Sequence, residues 1–412
     1  MISRRSAATL LAGALLSPSR ALSFASPQAR TRQKTGVQNN TELTPLDVAF
    51  LDDMQHAGSL FFSEQADPAT GQVLDRAINR TATGALDPRT LSSIAATGFG
   101  LTGLCIADKR SWLAPGVAAK QVLATLQFHL KMPHEHGFFY HFNNIHTGQP
   151  VGNTEVSSID TAILLCGVLT CRAYFKDAKI SNLATQLYNR VDWPWMLNGG
   201  DTFSMGWHPS TGFIFNRWDH YSELMMIYLL AIGSPTHPVP AATWGNFTRP
   251  HMSYAGFNYI SGHDPLFVHQ YSHAWFDFAH KRDAYTDYFT NPILATRAHK
   301  AFCLSLRRGY TDDYWGITAS DWQHGYTAWG GPPLMGPVDG SVVPCATAGS
   351  LPFLPIDCIR VLRSLKTRYG KDAWGRYGLL MAENLRTGFV WNTFMQNPEP
   401  KAAMELCGFH TI

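Results

Sequence analysis

The chain has 412 residues, 45% of them hydrophobic and 15% charged, with a formal net charge of +3. That length and apolar content bury a large core, which excludes an intrinsically disordered protein and leaves room for one to three domains. The small positive charge is spread along the chain with no basic run in the mature part, so nothing argues for a nucleic-acid partner.

The chain opens with Ser3, Arg4 and Arg5, an apolar run over 7–16, Pro18, and the small-residue site Ser23-Phe24-Ala25. This reads as a signal peptide over residues 1–25, too short for a stable membrane anchor. Its paired arginines point to the twin-arginine export machinery and a periplasmic or secreted protein. Residues 26–44 are polar and read as a disordered lead-in. Residues 45–412 then read as one helical domain. Helical spacing of apolar residues predicts helices over 46–64, 92–107, 118–131, 157–175, 180–197, 219–232, 268–280, 291–307, 356–369 and 379–395. Between them lie Gly-, Pro-, His- and Trp-rich loops at 132–153, 198–218, 233–266 and 310–355, long enough to serve as binding loops or lids. No stretch alternates apolar and polar residues long enough to build a sizeable sheet. The pattern therefore predicts an all-α fold, for which an α/α toroid and an irregular bundle are both open.

Seven scattered cysteines without a C-x-x-C pair, several of them in apolar helical runs, argue against a zinc site or a disulfide framework. The 17 histidines include His134-x-His136 and His269-x-x-x-His273, but neither pair brings a third ligand. No metal and no cofactor is expected.

Four segments carry a resemblance. They are 61–99, with Thr70-Gly-Gln-Val-Leu-Asp-Arg76; 155–165, Glu-Val-Ser-Ser-Ile-Asp-Thr-Ala-Ile-Leu-Leu; 216–277, with Asn216-Arg-Trp-Asp-His-Tyr-Ser-Glu223, Gly233-Ser-Pro-Thr-His-Pro238 and His269-Gln-Tyr-Ser-His-Ala-Trp-Phe-Asp277; and 315–353, with Trp315-Gly-Ile-Thr-Ala-Ser-Asp321 and Ala348-Gly-Ser-Leu-Pro-Phe353. In this order they resemble the glucoamylase-like proteins of glycoside hydrolase family 144. The resemblance implies an (α/α)6 toroid with a glucan cleft at one end and hydrolysis of a β-glucan or gluco-oligosaccharide, above all one that is β-1,2-linked. One departure stands out. After Trp374-Gly-Arg-Tyr-Gly378 the family continues through a Phe-Asn and Ile-Asp-Gln-Gly segment, whereas here Gly378 passes almost directly into Glu383-Asn-Leu-Arg-Thr-Gly388. A stretch comparable to one barrel helix is missing, with an acidic residue, so the toroid is expected to be incomplete near its C-terminus.

Hydrolysis of a glycosidic bond calls for two carboxyl groups, one to protonate the leaving oxygen and one to activate water or attack the anomeric carbon. Glu223 is the preferred acid, after Trp218 and Tyr221 and at the start of a strongly apolar helix. Its competing reading is a simple preference for the helix N-terminus. Asp219 can share a helical face with Glu223, or serve as the N-cap. Glu155 and Asp160 open another apolar helix, where Ser157-x-x-Asp160 also fits a loosened capping box. Asp321 sits in a Trp- and Gly-rich loop where no helix needs it, with a turn-forming role as the alternative. Trp218, Tyr221, Trp275, Trp322 and Tyr326 are candidates for stacking on sugar rings or for the core. Arg76, Gln270 and His273 are candidate hydroxyl-binding groups. Two rival functions remain in view: a non-catalytic glucan-binding protein, motivated by the missing segment, and a lyase on acidic polysaccharide, for which no basic cluster stands out.

Overall fold

A computed structural model describes residues 43–79, 83–263, 265–322, 325–336, 338–370 and 373–379, with the backbone of 383–384 and 389–390. The signal peptide read over 1–25, and all of the lead-in except Leu43 and Thr44, lie outside these residues. Helix α1 (Pro45–Glu64) starts where the sequence supplies every N-terminal signal at once. Thr44 accepts from the Asp47 amide at 3.2 Å and donates its own amide to the Asp47 carboxylate at 2.9 Å, with Pro45 in the first turn. Such a cap stabilises a helix by about 1 kcal/mol.

Helices α2 (Ile94–Lys109) and α4 (Ser158–Tyr174) are capped by Ser93 and Ser157 and are largely buried. Helix α7 (Met225–Gly233) is buried along almost its whole length. A helix apolar all round has to be surrounded by other elements. Helices α3 (Val117–His129) and α5 (Ala178–Asn189) pack outside them, and α5 buries only Ile180, Ala184, Leu187 and Tyr188. Helices α2 and α4 cross very closely. A Cβ added at Gly167 would lie 2.1 Å from the Gly98 carbonyl oxygen, and one at Gly98 would lie 2.5 Å from that of Ile163. Only glycine lets the two backbones approach so far.

The short helix α6 (Trp193–Leu197) follows α5, and the C-terminal half adds α8 (Thr290–Ser305), α9 (Pro344–Gly349) and α10 (Pro355–Tyr369). One apolar cluster joins the helices from α2 to α7. A second gathers Phe302, Trp315, Trp329, Val361 and Leu362 around Phe50 of α1. Helix α1 thus packs on α2 at one side and on the last described elements at the other. There Arg363 meets Asp47 at 2.5 Å, Arg376 Nε donates to Glu64 at 2.6 Å, and the buried Gln65 side chain donates to Tyr377 Oη at 2.6 Å. Asn79 completes the seam by accepting the Tyr377 amide at 2.6 Å. The result is an α/α toroid. Among the described residues, strands occur only as pairs and triplets of two to four residues within the loops, such as Leu91–Ser93 on Phe142–Asn144 and Val156–Ser157 on Gly206–His208.

Four expected helices differ. The run over 180–197 divides because Asp192 caps a new turn, accepting from the Trp195 amide, with Pro194 behind it. The run over 219–232 is helical only from Met225. Residues 219–221 are extended alongside Thr248, whose amide donates to the Asp219 carbonyl at 2.7 Å while its own carbonyl accepts from Tyr221 at 2.8 Å. Asp219 is therefore not an N-cap and shares no helical face with Glu223. The run over 268–280 forms two 3-10 turns, Leu266–His269 and Tyr271–Ala274, parted at Gln270, whose side chain is tied to the Ala346 carbonyl and to Ser350. Where the described residues reach into 379–395 they lie in short strands, with Gly378–Leu379 on Trp374–Gly375 and Glu383–Asn384 on Ser341–Val342.

Candidate active site

The N-terminal ends of α2 and α4 open on a cleft of about 570 Å³, and the turn before α7 reaches the same space. Its lining includes Asp75, Arg76, His141, Asp160, Glu223 and Asp321, with Phe61, Phe99, Phe142, Tyr271 and Tyr326 as aromatic walls. Unpaired amides at a helix N-terminus favour negative charge, which supports Asp160 in the first turn of α4.

Each acidic group is held differently. Asp160 lies in the first turn of α4, where Ser157 both accepts from its amide at 3.3 Å and donates to its carboxylate at 2.5 Å. The capping reading and the cleft reading of Asp160 are therefore compatible. Glu155 stands one step further back, half-buried, with Oε1 2.9 Å from His141 Nδ1. Burial works against its charge, yet the His141 contact outweighs it and holds the Glu155 carboxyl below its ordinary range. Glu223 occupies the turn just ahead of α7, where its carbonyl accepts from Ser272 Oγ at 2.9 Å and its charge reaches the Tyr271 and Tyr326 phenols.

Asp321 sits in a two-stranded hairpin, Ser320–Trp322 on Gly325–Thr327, with only 6% of its surface exposed. Arg76 bridges it to Asp75: Nη1 lies 2.6 Å from Asp321 and Nε 2.5 Å from Asp75. Burial pushes the Asp321 carboxyl up to about 6. Arg76 opposes that rise and the nearby Asp75 adds to it. An acid that keeps its proton to near neutrality is what leaving-group protonation requires.

The remaining candidates separate cleanly. Arg76 and Tyr326 line the cleft, the latter 65% exposed. Trp275 is buried behind the wall, donating to Thr102 at 2.9 Å and packing on Phe99 at 4.7 Å between ring centroids. Trp218 and Tyr221 lie in the core. Trp218 donates to Ser158 Oγ at 2.8 Å, and the fully buried Tyr221 packs against His269. The carboxylate of Asp219 points outward to His220 at 2.9 Å, away from the cleft. Gln270 is consumed by the two bonds to α9 and Ser350 described above. His273 is buried among Phe278, Phe289 and Phe353, and burial pulls its ring down to about 4, so it is a neutral packing residue. The side chain of Trp322 lies outside the described residues. Asp75 and His141 were missed. Asp75 had a signal, as the neighbour of Arg76 in the first resembling segment. His141 had none, because the bridge of Tyr140 to Val156, which brings it to Glu155, is a tertiary event.

His141, Glu155 and Asp160 also lie close enough together to hold a metal ion, their potential ligand atoms being within 4.8 Å of one another. Burial opposes charge on the His141 ring, and Asp160 and Glu155 outweigh it to place its titration at about 9.

Fold and cleft define an α/α-toroid protein with a carboxylate-lined groove. The Glycoamylase (glucoamylase) family model matches residues 216–380. An exo beta-1,2-glucooligosaccharide sophorohydrolase (non-reducing end) of Parabacteroides distasonis is 25% identical over 425 residues, covering 87% of this chain; the chain spans 58% of that relative's length. Among solved structures, an endo-beta-1,2-glucanase from Chitinophaga pinensis in complex with sophorotriose and glucose superimposes with a TM-score of 0.73 at 22% identity, covering 90% of this chain and 99% of its own. A beta-1,2-glucanase from Parabacteroides distasonis gives 0.75 at 22% identity, covering 89% and 60%. The chain thus shares its fold with these solved β-1,2-glucanase structures and carries a glucoamylase-like segment over residues 216–380.

Proposed function

We propose that this protein is a glycoside hydrolase that cleaves β-1,2-linked glucan or its oligosaccharides by general acid–base catalysis. The observation that carries this reading is the convergence of Asp160, Glu223 and Asp321 on one aromatic-walled cleft. Glu223 donates a proton to the glycosidic oxygen as the bond to the anomeric carbon breaks. Asp160 takes a proton from the water that attacks that carbon. Asp321, charged or protonated according to pH, is the competing candidate for either role. Phe99, Phe142 and Tyr326 offer faces on which pyranose rings stack, and Arg76 offers donors for hydroxyl groups. Export through the twin-arginine machinery to the periplasm or beyond would bring the protein to polymeric substrate.

A second reading is a glucan-binding protein without turnover. What favours it is the passage of Gly378–Leu379 into a short strand pair, where the family carries an additional acidic segment. One experiment separates the two: reducing-sugar release from linear β-1,2-glucan, with β-1,3-glucan as control and melting temperature followed in parallel. Release confined to the β-1,2 polymer supports hydrolysis. A raised melting temperature with no sugar released refutes it in favour of binding.

A further inference from the structure

His141 is fixed to an unusual degree for a loop residue. Its amide donates to the Glu155 carbonyl at 2.9 Å, and its carbonyl accepts from Ile94, the first residue of α2, at 3.2 Å. The backbone is therefore pinned to the entrances of both α2 and α4. Its ring lies against Phe142 at 3.7 Å between centroids, nearly parallel, which leaves the two ring nitrogens pointing along the plane. Nδ1 meets Glu155 Oε1 at 2.9 Å and Nε2 faces Asp160 Oδ1 at 3.6 Å.

We propose that His141 is a positioning residue for the reaction: clamped between Glu155 and Asp160, it holds the Asp160 carboxylate in one orientation toward the bound sugar. The proposal rests on the reading of Asp160 as the base that activates water. The clamp works because a protonated imidazole donates to Glu155 at 2.9 Å and turns its second N–H, as an ion-pair contact at 3.6 Å, toward Asp160. The groups that face the ring are Asp160 from α4, Glu155 from the approach to α4 and Asp75 from the segment that carries Arg76, with His208 beyond Glu155. Burial opposes the charge, and the three carboxylates overcome it to place the titration at about 9. Below that pH the ring is a cation and both contacts hold. Above it one N–H is lost and the carboxylate it served is released. Asp160 is also gripped by Ser157, so it is held from two directions, as a base must be if water is to be met at one angle.

The test is the pH dependence of turnover on β-1,2-glucan for the wild-type protein and His141→Gln, together with NMR titration of the His141 ring in the wild-type protein and in Asp160→Asn. The expected results are an alkaline decline of wild-type kcat centred near pH 9, and a kcat for His141→Gln lower by about 10- to 100-fold with KM little changed and that decline absent. The ring should titrate near 9 in the wild-type protein and clearly lower in Asp160→Asn. A His141→Gln protein with wild-type kcat and the same alkaline decline overturns the proposal. So does a ring that titrates near the ordinary histidine value, and that measurement needs no turnover. A protein inert on every glucan but with the ring titrating near 9 would instead refute the hydrolase reading and leave the clamp standing.

Discussion

The most informative perturbation is Asp321→Asn, which keeps the shape of the side chain and removes its ability to ionise. In the folded protein the carboxyl titrates at about 6, against an ordinary value of 3.8. Between those two values the native state holds a proton that the unfolded chain has released, so stability falls as pH rises from about 4 to about 6 and stays lower above that. A displacement of about 2 pH units corresponds to about 3 kcal/mol. The attraction of Arg76 is already contained in that net value, since the guanidinium lowers the titration that burial raises. Asn carries no charge to desolvate, so at pH 8 the variant should be more stable than the wild-type protein by up to about 3 kcal/mol, and near pH 4 the two should be close. Thermal melts at both pH values check this, and an upward shift of roughly 3–6 °C is expected at pH 8 only. A variant less stable than wild type at pH 8, or a difference that does not change with pH, would refute the argument that burial raises the Asp321 titration. The same variant should lose activity, as befits a group whose strain belongs to the site.

Three further outcomes follow from the geometry. Glu223→Gln should lower kcat by roughly 10²- to 10⁴-fold while leaving the melting temperature and glucan binding near wild type; near-normal turnover sinks its role as the acid. Arg76→Gln removes the cation between Asp75 and Asp321, so the Asp321 carboxyl should titrate above 6, read from the pH profile of kcat or from carboxyl NMR. Gly167→Ala places a methyl group against the Gly98 carbonyl and forces α2 and α4 apart. It should cost about 1–3 kcal/mol by denaturant unfolding, with reduced activity because Asp160 rides on α4; an unchanged midpoint contradicts the close crossing.

What the sequence disclosed and what it hid divide along physical lines. Helices α1, α2 and α4 were legible because caps and periodicity agree there: Thr44, Ser93 and Ser157 all accept from amides of the first turn, while α10 was legible from periodicity alone. The segment over 268–280 misled because its apolar spacing is helical while Gln270 is drawn to α9, and tertiary bonds outweigh a period. Among the site candidates that line the cleft, Asp321 stood in a loop where no helix needs it, Asp160 already had a capping explanation, and Glu223 drew its weight from the resemblance. Trp218 and Tyr221 could not be sorted from stacking residues in advance, since an indole that donates to Ser158 and one that faces a sugar have the same letter. His141 and its partners meet only when the loops close.

The seam between α1 and residues 373–379 has a consequence for how the molecule comes apart. A cycle of packed hairpins flanks every element twice, and here its ends meet through the apolar packing around Phe50, a backbone bond from Arg376 to the Asn79 carbonyl, and a polar fastening. Glu64, Gln65 and Asn79 are that fastening. Release of the fastening turns a cycle into a linear stack with two bare faces, and cooperativity is lost with it. Asn79 lies three residues from Arg76, whose guanidinium pairs with Asp321, so the seam and the active site share one short segment of chain. Opening at this seam is therefore expected to loosen one wall of the active site together with α1.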